Sequence, residues 1–249
     1  MTERNLLITG ASRGIGAALA VLAAKAGWNV AINCRRERGA AEEVAAAVRA
    51  EGRRALVVPA DVADEAQIVS MFSAIDEQLG PLHGLVNNAG VVDVAARVDE
   101  TSAQRLTRMW AINLSGSMLC AREAIRRMGK SHGGKGGVIV NLSSAAARVG
   151  SPGLYLDYSM SKAAIDHFTT GLAREVAADG IRVNAVRPGI IDTEIHATSG
   201  HAERLAAAVP SIPMARLGTT DEVAQAIVWL LSDDAAYVSG ALLDVSGGR

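Results

Sequence analysis

A regular alternation of short apolar runs with longer alanine-rich stretches is the feature that most constrains the fold of this chain. Each run is five to seven residues long, and many consecutive side chains in it are apolar. Such a run is typical of a strand buried on both faces, as in a parallel sheet, although a short buried helix can look the same. The runs predict strands over residues 5–9, 29–34, 54–60, 84–89, 137–143, 181–186 and 240–245.

Between these runs the apolar residues recur with the period of an α-helix. Glycine follows four of the stretches, at Gly27, Gly52, Gly80 and Gly180, where helices commonly end. The predicted helices span 14–26, 39–51, 64–79, 101–128, 158–179 and 220–232. Alternating strands and helices connect through right-handed crossovers. The sequence therefore predicts an α/β fold, a Rossmann-type doubly wound parallel sheet with helices on both faces.

The chain contains no proline- or serine-rich linker and no internal repeat, so residues 1–249 are predicted to form one domain. The connection 189–218 is long, and connections of that length commonly serve as lids, so we expect it to cover the substrate. The first residues contain no signal-type apolar run, and no apolar stretch reaches the length of a membrane span. These features predict a soluble, cytoplasmic protein.

The composition narrows the possible functions. With 49% hydrophobic and 20% charged residues, the chain can bury a large core, which excludes a disordered protein. The formal net charge of −1 and the lack of a wide basic region argue against a nucleic-acid binder. The two cysteines, Cys34 and Cys120, have no metal-ligand spacing, so no metal site is expected.

Three glycines lie between the first predicted strand and the first predicted helix, in the segment ITGASRGIGAALA. Gly10, Gly14 and Gly16 would let the backbone approach a pair of phosphates, which the N–H groups at a helix N-terminus bind. A tight structural turn is the alternative, because the spacing is not the commoner one of dinucleotide sites. The position directly after the first strand of an alternating fold favours a dinucleotide.

The end of the second predicted strand indicates which dinucleotide binds. Sites for NAD often place an acidic residue here, which accepts hydrogen bonds from the ribose 2′-hydroxyl. This chain has Cys34 at that place, followed by Arg35 and Arg36, whose guanidinium groups suit a 2′-phosphate. Arg13 in the glycine loop is a candidate for the same phosphate, and a solvated basic turn is the alternative. The residues favour NADP(H) over NAD(H).

Tyr158 lies four positions before Lys162, in a chain with only three tyrosines. On a helix this spacing places both side chains on one face. A free phenol has a pKa of about 10, and a nearby ammonium favours the phenolate and lowers that pKa. The pair is therefore a candidate general acid and base for a substrate oxygen.

Several motifs together resemble the classical short-chain dehydrogenase/reductase family over nearly the whole chain. In family order they are TGASRGIG (9–16), NNAG (87–90), the asparagine of WAINLSG, NLSS (141–144), YSMSK (158–162) and RPGIIDTE (187–194). The resemblance implies reduction of a ketone or aldehyde to an alcohol with a nicotinamide cofactor, or the reverse reaction. In style the chain is most similar to 3-oxoacyl-[acyl-carrier-protein] reductases and sugar dehydrogenases.

The resemblance also implies roles for particular residues. Tyr158 would be the general acid and base, Ser144 would bind the substrate oxygen, and Lys162 would reach the nicotinamide ribose. Asn113 would hold a water that connects Lys162 to solvent. Ser144 lies fourteen positions before Tyr158, one more than is common in the family, so Ser143 is the alternative serine. The expected cofactor contacts are Gly10, Ser12, Arg13, Gly14, Ile15, Gly16, Arg35, Arg36, Asp61, Val62, Asn88, Ala89, Gly90, Tyr158, Lys162, Pro188, Gly189, Ile191 and Thr193.

The substrate stays open at this point. An NADPH-dependent carbonyl reductase is the leading hypothesis, with a 3-oxoacyl thioester as its first named substrate and a sugar or polyol dehydrogenase as the runner-up. A nucleotide-binding protein without turnover is the alternative from another class, and the intact catalytic residues argue against it. Asp179 weakens the interpretation as a carrier-protein reductase. Candidates for a basic rim that would bind an acidic carrier are Arg126, Arg127, Lys130 and Lys135.

Two predicted helices, 101–128 and 158–179, are longer than a monomer requires. In the family such helices pack between subunits, and the last strand forms a second contact. The resemblance therefore implies a homotetramer, with a dimer as the second possibility. The expected partners are this second copy and a small carbonyl or alcohol substrate, with no nucleic acid and no membrane.

Overall fold

The structure, a computed structural model, describes residues 3–193 and 209–249. The described residues form a sheet of seven strands in the order β3-β2-β1-β4-β5-β6-β7, and each neighbouring pair is parallel. The predicted Rossmann-type doubly wound sheet is confirmed. The strands are β1 (Arg4–Ile8), β2 (Trp28–Cys34), β3 (Ala55–Pro59), β4 (Gly84–Asn87), β5 (Gly137–Leu142), β6 (Ile181–Pro188) and β7 (Leu242–Val245).

Helices cover both faces of this sheet. In the described ranges they are α1 (Gly14–Lys25), α2 (Arg38–Ala50), α3 (Glu65–Gln78), α4 (Ala103–Trp110), α5 (Ser117–Met128), α6 (Ala146–Val149), α7 (Leu156–Glu175) and α8 (Thr220–Leu231). Helices α1, α2 and α8 share one hydrophobic core with the sheet, and α3, α5 and α7 share the other. In β1, Leu6 and Ile8 belong to the first core and Leu7 to the second. Consecutive apolar residues are needed because both faces are buried.

The predicted strands agree with the observed ones to within two residues at each end, and four of the six predicted helices agree to within one. The predicted helix 158–179 instead begins at Leu156 and ends at Glu175. Asp157 in its first turn explains the earlier start, because a carboxylate is favourable at a helix N-terminus. Gly180 closes a separate turn after the helix, in which its N–H donates to Ala177.

The predicted helix 101–128 differs more. It consists of α4 and α5 with a π-helical stretch, Ala111–Gly116, between them. Ser102 determines the start, because its side chain accepts a hydrogen bond from the N–H of Arg105. Gly116 lies so close to the segment after β3 that a Cβ on it would be 2.6 Å from the carbonyl oxygen of Val62. The stretch contains Asn113, and short π-helical stretches within α-helices are frequent at functional sites.

Among the helices of the described ranges, none combines the length and the apolar character that crossing a lipid bilayer requires.

A buried ion pair joins α4 to the beginning of α7. Arg105 donates from Nε to Asp157 at 2.6 Å and from Nη2 to the same carboxylate at 3.1 Å. The two side chains are only 10% and 5% exposed. Burial alone would raise the pKa of Asp157, but hydrogen bonds from Arg105 and from the Tyr158 backbone hold it below its usual value. Arg105 also donates to the Val94 carbonyl at 2.6 Å, which ties the loop after β4 to the same pair.

We expect Arg105→Met to lower the free energy of unfolding by about 3 kcal/mol, because it leaves the Asp157 carboxylate buried without its partner. The double variant Arg105→Met, Asp157→Leu is expected to recover most of this loss, since no charge then stays buried. Urea unfolding of both variants measures the difference. Equal destabilisation by the single and double variants would contradict this explanation.

Candidate active site

The carboxyl ends of the strands border one large cavity. β1 and β4 are neighbours in the sheet, but the chain leaves them toward opposite faces, which opens a crevice at this edge. The cavity has a volume of about 810 Å³ and is bordered by residues that follow β1, β2, β3, β4, β5 and β6. A crevice of this kind can hold a dinucleotide and a small substrate together.

The glycine loop after β1 packs against the loop after β4. Gly10 has a φ of +62°, and a Cβ there would lie 2.9 Å from Ala89 Cα, so only glycine fits. The Asn88 amide donates to the carbonyls of Thr9 and Gly10, both at 2.8 Å. Gly16 is equally close, since a Cβ on it would be 2.6 Å from Asn88 Nδ2. Asn88 and Gly16 therefore hold the loop in place from behind.

The N-terminus of α1 opens on the cavity without a side-chain cap. Arg13 is the N-cap residue and makes no capping hydrogen bond through its side chain. Ser12, Arg13, Gly14 and Ile15 all border the cavity. The first N–H groups of a helix have no partner within it, and together with the helix dipole they attract an anion. This arrangement fits the diphosphate of a dinucleotide.

The ends of β2 and β3 form the wall next to this helix. The Asn33 side chain accepts from the Gly10 N–H at 3.1 Å and donates to the carbonyls of Val58 and Ala60, each at 3.1 Å. Arg35 and Arg36 border the cavity beyond Asn33, as do Asp61 and Val62. The guanidinium of Arg35 lies 3.7 Å from the Asp61 carboxylate. Two cations, Arg35 and Arg36, and two carboxylates, Glu37 and Asp61, thus border this end.

Tyr158 and Ser144 meet at the other end of the cavity. Ser144 follows β5, Tyr158 lies in the first turn of α7, and both residues border the cavity. Burial raises the pKa of the Tyr158 phenol above its usual value, and the nearby Ser144 hydroxyl lowers it only in part. The phenol is therefore protonated at neutral pH and able to donate a proton.

Lys162 lies one turn further along α7 and is buried. Its ammonium donates to the Leu142 carbonyl at 2.6 Å and lies 5.7 Å from the centre of the Tyr158 ring. Burial lowers the pKa of Lys162 to about 8, although the carboxylate of Asp166 opposes this change. We expected Lys162 to lower the pKa of Tyr158. Burial dominates instead and raises the pKa of Tyr158, and the hydrogen bond that the Lys162 ammonium donates goes to the carbonyl of Leu142.

Asn113 supports the cavity wall and does not border the cavity itself. Its side chain accepts from the N–H of Val91 at 2.8 Å and donates to the Val91 carbonyl at 3.0 Å and to Ser161 Oγ at 3.1 Å. A Cβ on Gly90 would be 3.5 Å from both Asn113 Oδ1 and Lys162 Nζ. Asn113 therefore joins the loop after β4 to α7.

The geometry distinguishes the two candidate serines. Ser143 is buried, and its hydroxyl donates to the main-chain oxygen of Lys162 at 3.1 Å. Ser144 is the serine that contacts the Tyr158 phenol. The extra residue between serine and tyrosine falls in the segment after Ser144. That segment contains α6 and then Gly150 and Ser151 with φ values of +74° and +43°.

The segment after β6 forms the wall opposite the glycine loop. Pro188, Gly189, Ile191 and Thr193 border the cavity, and a Cβ on Gly14 would be 4.0 Å from the Thr193 side chain. Of the predicted lid 189–218, residues 194–208 lie outside the described residues.

Nearly all of the predicted site residues border this cavity; the exceptions are Gly16 and Asn113. The four basic rim candidates do not border it. Arg126 and Arg127 instead pair with Glu123 at 3.0 and 2.9 Å. Within the described ranges, no group of three or more histidine, cysteine or acidic side chains is arranged to hold a metal.

Several residues that shape the cavity were not predicted from the sequence. Asn33 had a signal, because it is a polar residue inside the apolar run of β2. Thr9 accepts from the N–H groups of Asn88 and Ala89, both at 3.0 Å, and it too ends an apolar run. Arg105 and Asp157 had no local signal, since they are far apart along the chain.

Comparisons with known proteins agree with this geometry. A family profile described as "Enoyl-(Acyl carrier protein) reductase" matches residues 10–249. The "Uncharacterized oxidoreductase YgfF" of Escherichia coli (strain K12) is 52% identical, over 98% of this chain and 98% of its own length. "Glucose 1-dehydrogenase 2" of Bacillus subtilis (strain 168) is 36% identical, over 100% of this chain and 95% of its own. "3-oxoacyl-[acyl-carrier-protein] reductase FabG" of Staphylococcus aureus (strain Mu50 / ATCC 700699) is also 36% identical, over 98% of this chain and 97% of its own length.

A solved structure gives the same result. The crystal structure of a "short-chain type dehydrogenase/reductase from Mycobacterium marinum" superposes with a TM-score of 0.92 at 34% identity, over 98% of this chain and 94% of the other. Proteins of this family are oxidoreductases that bind NAD(P)(H) and act on CH–OH groups. The profile spans nearly the whole chain, and the relatives match this chain over almost their full length. The chain therefore belongs to the classical short-chain dehydrogenase/reductase family.

Proposed function

We propose that the protein reduces a ketone or aldehyde to an alcohol with NADPH and catalyses the reverse oxidation. The supporting observation is that Ser144 and Tyr158 border the same cavity as the open N-terminus of α1. One end of the cavity suits a diphosphate and the other a carbonyl oxygen. In this proposal residues 1–249 act as one domain and segment 189–218 covers the substrate.

In the reduction, Ser144 donates a hydrogen bond to the carbonyl oxygen, and Tyr158 donates its proton to that oxygen as negative charge develops. The nicotinamide, when bound, supplies the hydride to the carbonyl carbon. The ammonium of Lys162 stabilises the phenolate that remains on Tyr158. Asn113 supports the supply of a new proton from solvent through Lys162. In the oxidation, the Tyr158 phenolate accepts the proton of the alcohol.

The preference for NADP(H) is supported by the charge at the ends of β2 and β3. Arg35 and Arg36 border the cavity directly after Cys34, and Arg13 borders it from the glycine loop. A 2′-phosphate can accept charge-assisted hydrogen bonds from these guanidinium groups. Asp61 neutralises Arg35 in part, and a phosphate would compete with it for the guanidinium.

The apolar wall beyond Ser144 supports a ketone or aldehyde with an apolar body. Four apolar side chains, those of Val91, Val92, Val149 and Leu154, border the cavity, and Ser151 and Tyr155 add two hydroxyls beside them. A 3-oxoacyl thioester has the required carbonyl, and the relative from S. aureus is named for that activity. The basic residues expected to bind its carrier protein do not border the cavity, so we favour a small, free carbonyl compound.

Tyr158→Phe is expected to lower kcat about a hundredfold or more, because the general acid is lost while the cavity keeps its shape. Steady-state oxidation of NADPH measures kcat, and fluorescence titration shows whether NADPH still binds with unchanged affinity. Tyr237→Phe, at a fully exposed tyrosine, is the matched control. Normal turnover by Tyr158→Phe would remove Tyr158 from the mechanism.

Arg35→Gln is expected to raise the KM for NADPH about tenfold and to leave the KM for NADH unchanged, since only NADPH has the 2′-phosphate. Steady-state kinetics with both cofactors measure the ratio. Arg38→Gln removes the same charge three positions further on, outside the cavity, and is the control. An unchanged ratio of the two KM values for Arg35→Gln would count against this phosphate site.

We also propose a homotetramer, with a dimer as the second possibility. Trp110, Met118 and Met160 are exposed large apolar side chains on α4, α5 and α7, and such residues are typical of contact surfaces. Met118→Glu is expected to reduce the molar mass measured by light scattering, because it places a charge in the contact. A monomeric mass for the unaltered protein would overturn this proposal.

A further inference from the structure

The charged residues of the cavity are unevenly distributed. At the end near β2 and β3 the wall contains cationic and anionic side chains, namely Arg13, Arg35, Arg36, Glu37 and Asp61. Elsewhere in the described part of the wall, the charged side chains are those of Lys162 and Arg249. Away from that end, the charged side chains of the described wall are thus cationic, with no carboxylate side chain among them.

The main chain of Arg249 is held in place next to the serine segment. Arg148 Nη2 donates to the main-chain oxygen of Arg249 at 2.7 Å, and Ser246 Oγ donates to the same oxygen at 2.9 Å. Arg148 lies in α6, about one helical turn after Ser144. Residue 249 is thereby fixed where this cavity meets a second one, which Arg148, Glu222 and Asp244 also border.

Arg148 belongs to a series of alternating charges that begins on α7. Its Nη1 lies 3.3 Å from the Asp244 carboxylate, Asp244 lies 3.8 Å from Arg187, and Arg187 lies 2.8 Å from Asp166. Asp166 is one turn beyond Lys162 on α7. The guanidinium groups of Arg148 and Arg187 are thus neutralised by their neighbours and are not available to an anionic ligand.

The guanidinium of Arg249 differs from these two. It has no hydrogen-bond or ion-pair partner among residues 3–193 and 209–249. Val149 and Leu154 border the same cavity as Arg249, and an ion pair inside a cavity with apolar side chains is less screened than one on the surface. A guanidinium binds a carboxylate through two parallel hydrogen bonds, which favours this anion over a neutral group.

We propose that Arg249 recognises a carboxylate on the substrate, so that the substrate is an oxo acid: a ketone or aldehyde with an apolar body and an anionic end. This inference rests on the carbonyl reduction proposed above. It assigns the substrate class and a residue that determines specificity, and it adds no chemical step. The apolar body contacts the wall around Val149 and Leu154, and the charged end contacts Arg249.

Linear methyl-ketone carboxylates of increasing chain length, each paired with its methyl ester, test this inference. The ester removes the charge and keeps the carbonyl. We expect the unaltered protein to reduce at least one acid with a kcat/KM about tenfold above that of its ester, through a lower KM. Arg249→Gln is expected to abolish this preference, because it lowers kcat/KM for the acid and leaves kcat/KM for the ester unchanged. Arg249→Lys is expected to keep part of the preference.

Arg49→Gln is the matched control, since it removes one charge from an exposed position outside the cavity. Calorimetric titration of the acids into the NADPH-bound protein gives a readout that does not depend on turnover. Equal kcat/KM for acids and esters, or an equal loss on both with Arg249→Gln, would overturn the inference while the carbonyl reduction stands. Binding of an acid that depends on Arg249, without oxidation of NADPH by any ketone, would support the inference and overturn the proposed reduction.

Discussion

The burial of one ammonium beside one phenol is the constraint on which this site depends. Lys162 keeps its place in a buried position because the Leu142 carbonyl accepts a hydrogen bond from its ammonium at 2.6 Å, and burial lowers the pKa of Lys162 to about 8. The phenol of Tyr158 is shifted in the opposite direction, since burial raises its pKa. Exclusion of water therefore moves the two pKa values in opposite directions, and a positive charge that enters the cavity lowers the pKa of the phenol again. The positively charged ring of an oxidised nicotinamide is such a charge.

Helix α7 can hold these groups because polar contacts fix it along one side. The Arg105–Asp157 ion pair fixes its first turn, and Ser161 and Lys162 bond to Asn113 and Ser143. Further along, Asn141 donates to Thr169 Oγ1 at 3.0 Å. These contacts come from α4, the π-helical stretch and β5, so a rotation of α7 would break several hydrogen bonds at once. The distance between Tyr158 and Ser144 is thus determined by the contacts that fix α7 against the sheet, since Ser144 directly follows β5.

Much of this arrangement follows from the sequence, and the reasons differ between its parts. The strands could be predicted because burial on both faces demands apolar residues at consecutive positions. Ser144, Tyr158 and Lys162 could be placed in one site because their motifs have a family order. The division of 101–128 could not be predicted, since the π-helical stretch depends on the close contact of Gly116 with Val62. The pairing of Arg105 with Asp157 and the series from Asp166 to Arg148 also depend on tertiary contacts between distant segments.

The hydrogen bonds of Asn33 and Asn88 have a consequence for cofactor binding. Together they hold Gly10 through its N–H and its carbonyl. Contacts within the protein therefore fix this part of the loop, so association with a dinucleotide costs less conformational entropy than it would with a flexible loop. The nucleotide end of the cavity is in this sense preorganised, and its affinity can come almost entirely from direct contacts with phosphate and ribose.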